Sequence, residues 1–324
     1  MNRVLMPATG DTLAYVRDPH RPRVATAAEL LRAIPADTLP AQVTVEDVMA
    51  EPSWDTSAAT LLTLACRARS SLLEDSFDGV VISHGPDTVE ETAFLVDLMA
   101  GPAASRGGII LTTATRSLDE LSAEGPRNLA SSLTAAVDPA LLGAGAVVCV
   151  DDCLHAARWV THTDATSVAG FSSAPYPQLG RVLRGRVEPI SPPPVRPPEA
   201  AGEPESDVAL IKTYPGIEPA LLTAVVDAGA RGIVLEGTGQ GNVPVGLFTA
   251  IGELTEGDIP VVVASRCRTS TAPLEAMPLG TGLATKMGAI GARGLSPVKA
   301  RIALMVALGT GGGVQAARAW FARL

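Results

Sequence analysis

Aromatic residues make up only 3% of this 324-residue chain and charged residues only 18%. Soluble proteins average about 25% charged residues, so the chain is lean in charge without being disordered. With so few rings, Ala, Val and Leu have to fill any core. Basic residues are outnumbered, 25 Lys+Arg against 34 Asp+Glu, giving a formal net charge of −9. No basic run and no basic–aromatic interleaving is present, so a nucleic-acid partner is not expected. Apolar stretches fall far short of the ~20 residues needed to span a bilayer, so no membrane partner is expected either. The opening Met1-Asn2-Arg3-Val4-Leu5-Met6-Pro7 is too soon broken for a secretory leader, which makes the cytoplasm the expected location. The four cysteines (Cys66, Cys149, Cys153, Cys267) and four histidines (His20, His84, His155, His162) are too scattered for a zinc knuckle or a metal cluster. No metal or organic cofactor is expected.

At roughly 150 residues per domain, the length accommodates two domains, each large enough to bury a core without staples. Residues 188–207, EPISPPPVRPPEAAGEPESD, are proline-rich and lack apolar periodicity. Such a segment is stiff and extended, and it reads as a linker between domains at 1–187 and 208–324.

Continuous apolar runs at 80–83, 108–112 and 145–150 predict fully buried parallel strands. Between the first two, residues 89, 93, 96 and 100 mark one face of a helix. Thr88 and Glu91 at its start have the spacing of a capping box. Strands at 208–211, 232–235 and 260–264, with helices at 219–228 and 245–253, repeat the grammar downstream. The expected class is α/β: a larger N-terminal domain with a mixed or parallel sheet, and a smaller, flavodoxin-like C-terminal domain. Ligands in such sheets bind beyond the carboxyl ends of strands, so residues just after each strand matter most.

Those positions hold Thr9-Gly10-Asp11-Thr12-Leu13-Ala14, then His84-Gly85-Pro86-Asp87-Thr88-Val89-Glu90-Glu91-Thr92. Residues 112–116 and 122–129 follow, and Gly237-Thr238-Gly239-Gln240-Gly241-Asn242 lies in the second block. Taken singly each is ordinary turn chemistry. In this order and spacing they resemble the bacterial-type L-asparaginase/glutaminase family. Its motifs are T-G-G-T-[IL]-A, H-G-T-D-T-x-E-E-T, T-G-A-M-R, S-A-D-G-P-x-N-L and G-x-G-x-G-N. The resemblance runs nearly to the chain end.

The resemblance implies hydrolysis of a side-chain carboxamide. It makes Thr12 the attacking hydroxyl and Asp87 the anchor for a substrate ammonium. It sets Ser53 where a serine binds the substrate α-carboxylate, and it adds Pro86, Ala114 and Asn242 to the substrate pocket. Tyr15 lies on a lid over the site, where a phenol can orient the nucleophile. The lid also carries Arg17, Arg21 and Arg23 as candidate partners for a substrate carboxylate. Family members assemble as dimers or tetramers, so Asn242 is expected to complete the site of another copy.

Two family positions are changed. The threonine of a Thr–Lys–Asp cluster is Pro86, which has neither hydroxyl nor N–H. The lysine is His162, whose imidazole can act as a neutral base near pH 7. Asp11 replaces a glycine beside the nucleophile, where its carboxylate either works as an acid or base or turns outward to solvent. Thr113 and Thr115 replace Gly and Met, which alters the pocket's shape. The pattern fits a hydrolase retuned for a different amide. It also fits a non-catalytic amino-acid receptor, which would keep its ligand in a Thr12→Ala variant. A third reading, an NAD(P)-dependent oxidoreductase, rests on Gly237-x-Gly239-x-Gly241 after a strand, but Asn242-Val243-Pro244 interrupts the helix start.

Overall fold

The computed structural model describes residues 2–18, 20–267, 282–309 and 311–324. The chain forms two compact units, the first ending at Arg196 and the second beginning at Pro197.

In the first unit, β1 (Arg3–Ala8) leads through a single 3-10 turn, Thr12–Ala14, into the short hairpin of β2 (Tyr15–Val16) and β3 (Arg23–Val24). Then come α1 (Ala27–Arg32), β4 (Gln42–Asp47), α2 (Ala58–Leu73), β5 (Gly79–Ser83), α3 (Val89–Ala100), β6 (Gly108–Thr112), α4 (Gly125–Ala136) and β7 (Ala146–Val150). The unit closes with β8 (Cys153–Ala156), the hairpin of β9 (Thr161–His162) and β10 (Phe171–Ser172), β11 (Gly180–Leu183) and β12 (Arg186–Pro189). Eight strands form one sheet in the order β12-β11-β8-β7-β6-β5-β1-β4. From β4 to β7 the pairing is parallel, and from β7 to β12 it is antiparallel.

β5, β6 and β7 are buried at every residue, as their unbroken apolar runs predict for strands covered on both faces. On one face, Val4, Met6, Val81, Ile110 and Val147 pack with Leu30 of α1 and with Leu129 and Leu133 of α4. α2 and α3 pack against the sheet and against each other. The edge strand β4 has exposed and half-buried residues and none that is fully buried.

The helix predicted at 89–100 forms over those residues, but its capping box does not. Thr88 occupies the N-cap, yet its side chain makes no cap hydrogen bond. Its hydroxyl instead donates to the Ser53 carbonyl at 2.8 Å. The proline-rich stretch is held to the first unit at its start: β12 extends to Pro189, and Arg196 pairs with Asp97 of α3 and donates to its carbonyl at 2.8 Å.

The second unit holds β13 (Val208–Lys212), α5 (Ala220–Asp227), β14 (Gly232–Gly237), α6 (Phe248–Glu256), β15 (Val261–Ser265), α7 (Leu283–Lys286), β16 (Ile290–Gly291), α8 (Pro297–Leu308) and α9 (Gly313–Phe321). Its four strands pair in parallel in sequence order. Leu222, Ile251 and Ala284 pack on one face with Ile233, Leu235, Val261 and Val263. Leu304 and Leu308 of α8 press on Gly232. No helix among the described residues is long and apolar enough to cross a membrane.

Candidate active site

The parallel strands of the first unit run β4-β1-β5-β6-β7, so the chain moves to one side of β1 first and then to the other. The carboxyl ends of β1 and β5 flank that reversal, which is where open α/β sheets leave a crevice. Ala8 pairs with Ser83 and Ser83 with Thr112, so the loops leaving β1, β5 and β6 emerge side by side. Hydrogen bonds extend the pairing one step further. Thr9 donates from N and Oγ1 to Ser83 O at 3.2 and 3.1 Å, and His84 N donates to Thr112 O at 2.9 Å.

The loop after β1 carries Asp11 and Thr12. Asp11 caps the 3-10 turn with φ 65° and ψ −161°, a backbone conformation that suits glycine and costs an L-residue of order 1–3 kcal/mol. Its side chain does not turn outward to solvent, one of the two outcomes open in the sequence; the residue is only 8% exposed. Its Oδ1 accepts the Thr12 N–H at 2.5 Å and the Thr12 hydroxyl at 3.0 Å. Its Oδ2 accepts the Ser53 N–H at 2.5 Å. These bonds compensate the backbone strain, since hydrogen bonds to a charged acceptor contribute about 1.5–3 kcal/mol each.

Ser53 is buried in a 3-10 turn, Ser53–Asp55, with its Oγ lacking a partner among the described residues. Gly85 is required by this arrangement: a Cβ there would overlap Asp11 Oδ2, Asp11 Cγ and Ser53 Oγ. Asp11, Thr12, Ser53 and Gly85 are therefore one cluster. Thr88 ties the start of α3 to it through the Ser53 carbonyl.

His84, adjacent to the cluster, is 1% exposed. Its Nδ1 bonds the Gly85 carbonyl at 2.9 Å and its Nε2 meets Thr92 Oγ1 at 3.0 Å. Burial pulls its pKa below the usual imidazole value, opposed by the Gly85 carbonyl and by the charge of Asp11. A neutral ring donating from Nδ1 and accepting at Nε2 satisfies both contacts. Sequence reading took His84 as part of a motif without giving it a role. Its burial beside the Gly85 carbonyl is visible only in three dimensions.

Asp87, next along the β5 loop, is exposed and has no hydrogen bond or ion pair among the described residues. Pro86 is half-buried beside it, and Ala114 is buried after β6. Thr113 is buried too, with its Oγ1 unpartnered among the described residues. Tyr15 lies exposed on β2. Of the lid arginines, the Arg17 guanidinium is spent on Glu120 and Ser117, with its backbone N–H donating to the Asp119 carboxylate, and the Arg23 guanidinium on Glu29. They do not offer free guanidinium groups to a substrate.

His162 is not hydrogen-bonded to Thr12, whose hydroxyl goes to Asp11 instead. Its ring lies flat against Phe171, centroids 4.5 Å apart, across the β9–β10 hairpin. Its Nε2 is buried without a partner among the described residues.

Asn242 belongs to the second unit, at the end of a loop closed by reciprocal backbone bonds with Thr238, both 2.8 Å. Its Oδ1 is buried and unpartnered among the described residues. Because Thr238 N and Asn242 N bond each other's carbonyls, they are not open to a pyrophosphate, which a dinucleotide-binding turn requires.

A doubly covered sheet, a strand-order reversal and a hydroxyl–carboxylate pair at that reversal define an α/β scaffold with a candidate site at its switch point. The chain matches the family description "Asparaginase, N-terminal" over residues 3–194 and "Glutaminase/Asparaginase C-terminal domain" over residues 207–321. It is 30% identical over 314 residues to the Saccharomyces cerevisiae protein named L-asparaginase 2-3, covering 91% of this chain and 82% of that one. It is 31% identical over 288 residues to Escherichia coli L-asparaginase 2, covering 86% and 79%. A crystal structure titled as a probable cytoplasmic L-asparaginase from Campylobacter jejuni superposes with a TM-score of 0.84 at 27% identity, covering both chains completely. The chain belongs to the asparaginase/glutaminase family.

Proposed function

We propose that the protein is an amidohydrolase that cleaves the side-chain carboxamide of an asparagine-like molecule through a Thr12 ester. The observation that carries this reading is the 3.0 Å hydrogen bond from the Thr12 hydroxyl to Asp11 Oδ1. An alcohol is a weak nucleophile until a neighbouring base accepts its proton, and Asp11 is in position to accept it.

Thr12 Oγ1 attacks the amide carbon while its proton passes to Asp11 Oδ1. The carbon–nitrogen bond then breaks, and the leaving nitrogen takes that proton and departs as ammonia. Water attacks the Thr12 ester and gives a proton to Asp11. Release of the acid and return of the proton to Thr12 restore the starting state. Asp87, exposed and without an ion pair among the described residues, is available to a substrate ammonium. In a homodimer or homotetramer, Asn242 would complete the site of a neighbouring copy. Tyr15 and His162 act in this scheme by shaping the pocket rather than by taking the nucleophile's proton.

A second reading, an amino-acid receptor without turnover, is favoured by one observation: Pro86 supplies neither a hydroxyl nor an N–H beside Asp87. Ammonia release from L-asparagine and a panel of its derivatives separates the two. Thr12→Ala should lower turnover by about 10³-fold or more while the variant still binds ligand. A wild-type protein that binds an amide and releases no ammonia would support the receptor instead.

A further inference from the structure

We infer that Asp11 determines specificity by filling, with the chain's own carboxylate, the place where a ligand carboxylate would otherwise bind. The favoured ligands are then primary carboxamides that carry an amine but no free carboxylate. This deepens the hydrolase reading and rests on it for the word substrate, though not for the word ligand.

Three donors converge on one carboxylate here. Thr12 N and Thr12 Oγ1 bond one oxygen at 2.5 and 3.0 Å, and Ser53 N bonds the other at 2.5 Å. A set of backbone amides and a hydroxyl aimed at two oxygens is what binds a carboxylate. A second, independent feature points to the same spot. The Ser53 hydroxyl is buried, its residue only 2% exposed, and it has no partner among the described residues. It adjoins the Asp11 carboxylate over Gly85, where an added Cβ would strike both groups. The polar surface is thus larger than Asp11 alone consumes.

The backbone reinforces the point. Asp11 is held at φ 65°, where a side chain is strained. The chain accepts that strain and directs the carboxylate inward, although an exposed position would leave it hydrated. A free ligand carboxylate approaching the cluster meets donors already taken and a like charge in a buried setting, where repulsion is only weakly screened. An ammonium meets attraction from Asp11 and from the exposed Asp87. The ligand that fits both conditions is cationic or neutral. 3-Aminopropanamide, which is asparagine without its carboxylate, is the simplest probe.

The test compares L-asparagine with 3-aminopropanamide on the full-length protein, by ammonia release and by calorimetric binding to Thr12→Ala. Wild type is expected to favour 3-aminopropanamide at least tenfold in kcat/KM, and Thr12→Ala at least tenfold in affinity. Adding Asp11→Gly to Thr12→Ala frees the donors and relaxes the backbone, and it should tighten L-asparagine binding at least tenfold. Asp11→Asn in the same background, which removes the charge but keeps the bulk, should give a smaller gain. Equal or better use of L-asparagine by wild type would overturn the inference, as would unchanged asparagine binding in both Asp11 variants. If no amide releases ammonia, the hydrolase reading fails, and the binding comparison alone decides whether Asp11 excludes carboxylates.

Discussion

Gly85→Ala isolates the cluster around Asp11 with a single methyl group. Gly85 needs no left-handed backbone, so alanine is conformationally acceptable there. The obstacle is space, because the new Cβ would overlap Asp11 Oδ2 and Cγ and Ser53 Oγ. The serine hydroxyl can rotate away, but the carboxylate must move and give up its 2.5 Å bond from Ser53 N. Overpacking costs about 1–3 kcal/mol, and losing a hydrogen bond to a charged acceptor costs about 1.5–3 kcal/mol. These costs overlap, so the total is about 2–4 kcal/mol. For a cooperative unit of this size, that lowers Tm by roughly 4–16 °C. Asp11→Gly removes the group that is struck, so the Gly85→Ala penalty should shrink to about 1 kcal/mol in its presence. Scanning calorimetry of wild type, both single variants and the double variant gives the coupling directly, expected at about 2 kcal/mol. Simple additivity of the two substitutions would mean that the Asp11 carboxylate does not lie over Gly85, and the catalytic and specificity arguments would fall with it.

Burial lowers the pKa of His84, so the folded state favours its neutral ring. Stability from this group is complete above the unfolded imidazole pKa, about 6.5, and is lost as pH falls below it. His84→Asn should therefore flatten the dependence of Tm on pH between 5 and 6.5, and an unchanged slope would refute this role for His84. Burial also pushes the Cys149 thiol up to about 12, with the residue fully enclosed. Iodoacetamide at pH 8 should label the exposed Cys66 and leave Cys149 unmodified, as peptide mass mapping will report. Arg196→Ala removes the partner of the nearly buried Asp97. Because the arginine is partly hydrated, the expected loss is about 1–3 kcal/mol rather than that of a fully buried pair. The same variant should speed proteolytic cleavage within residues 190–206, and an unchanged cleavage rate would show that the ion pair does not hold this segment.

The central strands were legible because burial on both faces forces continuous apolar runs, as in β5, β6 and β7. Helix α3 was legible because the period of its apolar residues matched a helix. A mixed sheet was among the expectations, but the strands of its antiparallel half carry no clear mark in the sequence. β11 and β12 are four residues each with exposed residues interspersed, and neither is a buried run. Partners distant in sequence were hidden for a different reason. Arg17 meets Glu120, and Thr88 meets Ser53, only after the sheet brings their loops together. The spacing of Thr88 and Glu91 specified a local cap, and a longer-range acceptor captured the hydroxyl. His162 was readable as a base by residue type, but β9–β10 pairing lays it on Phe171.

Asp11 shows why a changed motif does not by itself mean a decayed site. A glycine-to-aspartate change at a position with φ 65° carries a backbone cost wherever the side chain points. Turned to solvent, the carboxylate would add nothing to offset that cost. Turned inward without donors, it would add the larger penalty of an unpaired buried charge. Here three donors meet it, one of them the hydroxyl named as nucleophile on independent grounds of motif order. The same change gives the Thr12 hydroxyl a carboxylate to donate to, where His162 makes no hydrogen bond with it. Gly85, the ordinary residue of its motif, leaves bare the space that the carboxylate occupies. On the reading proposed above, the chain supplies its own anion, and with it both the base and the selectivity of the pocket.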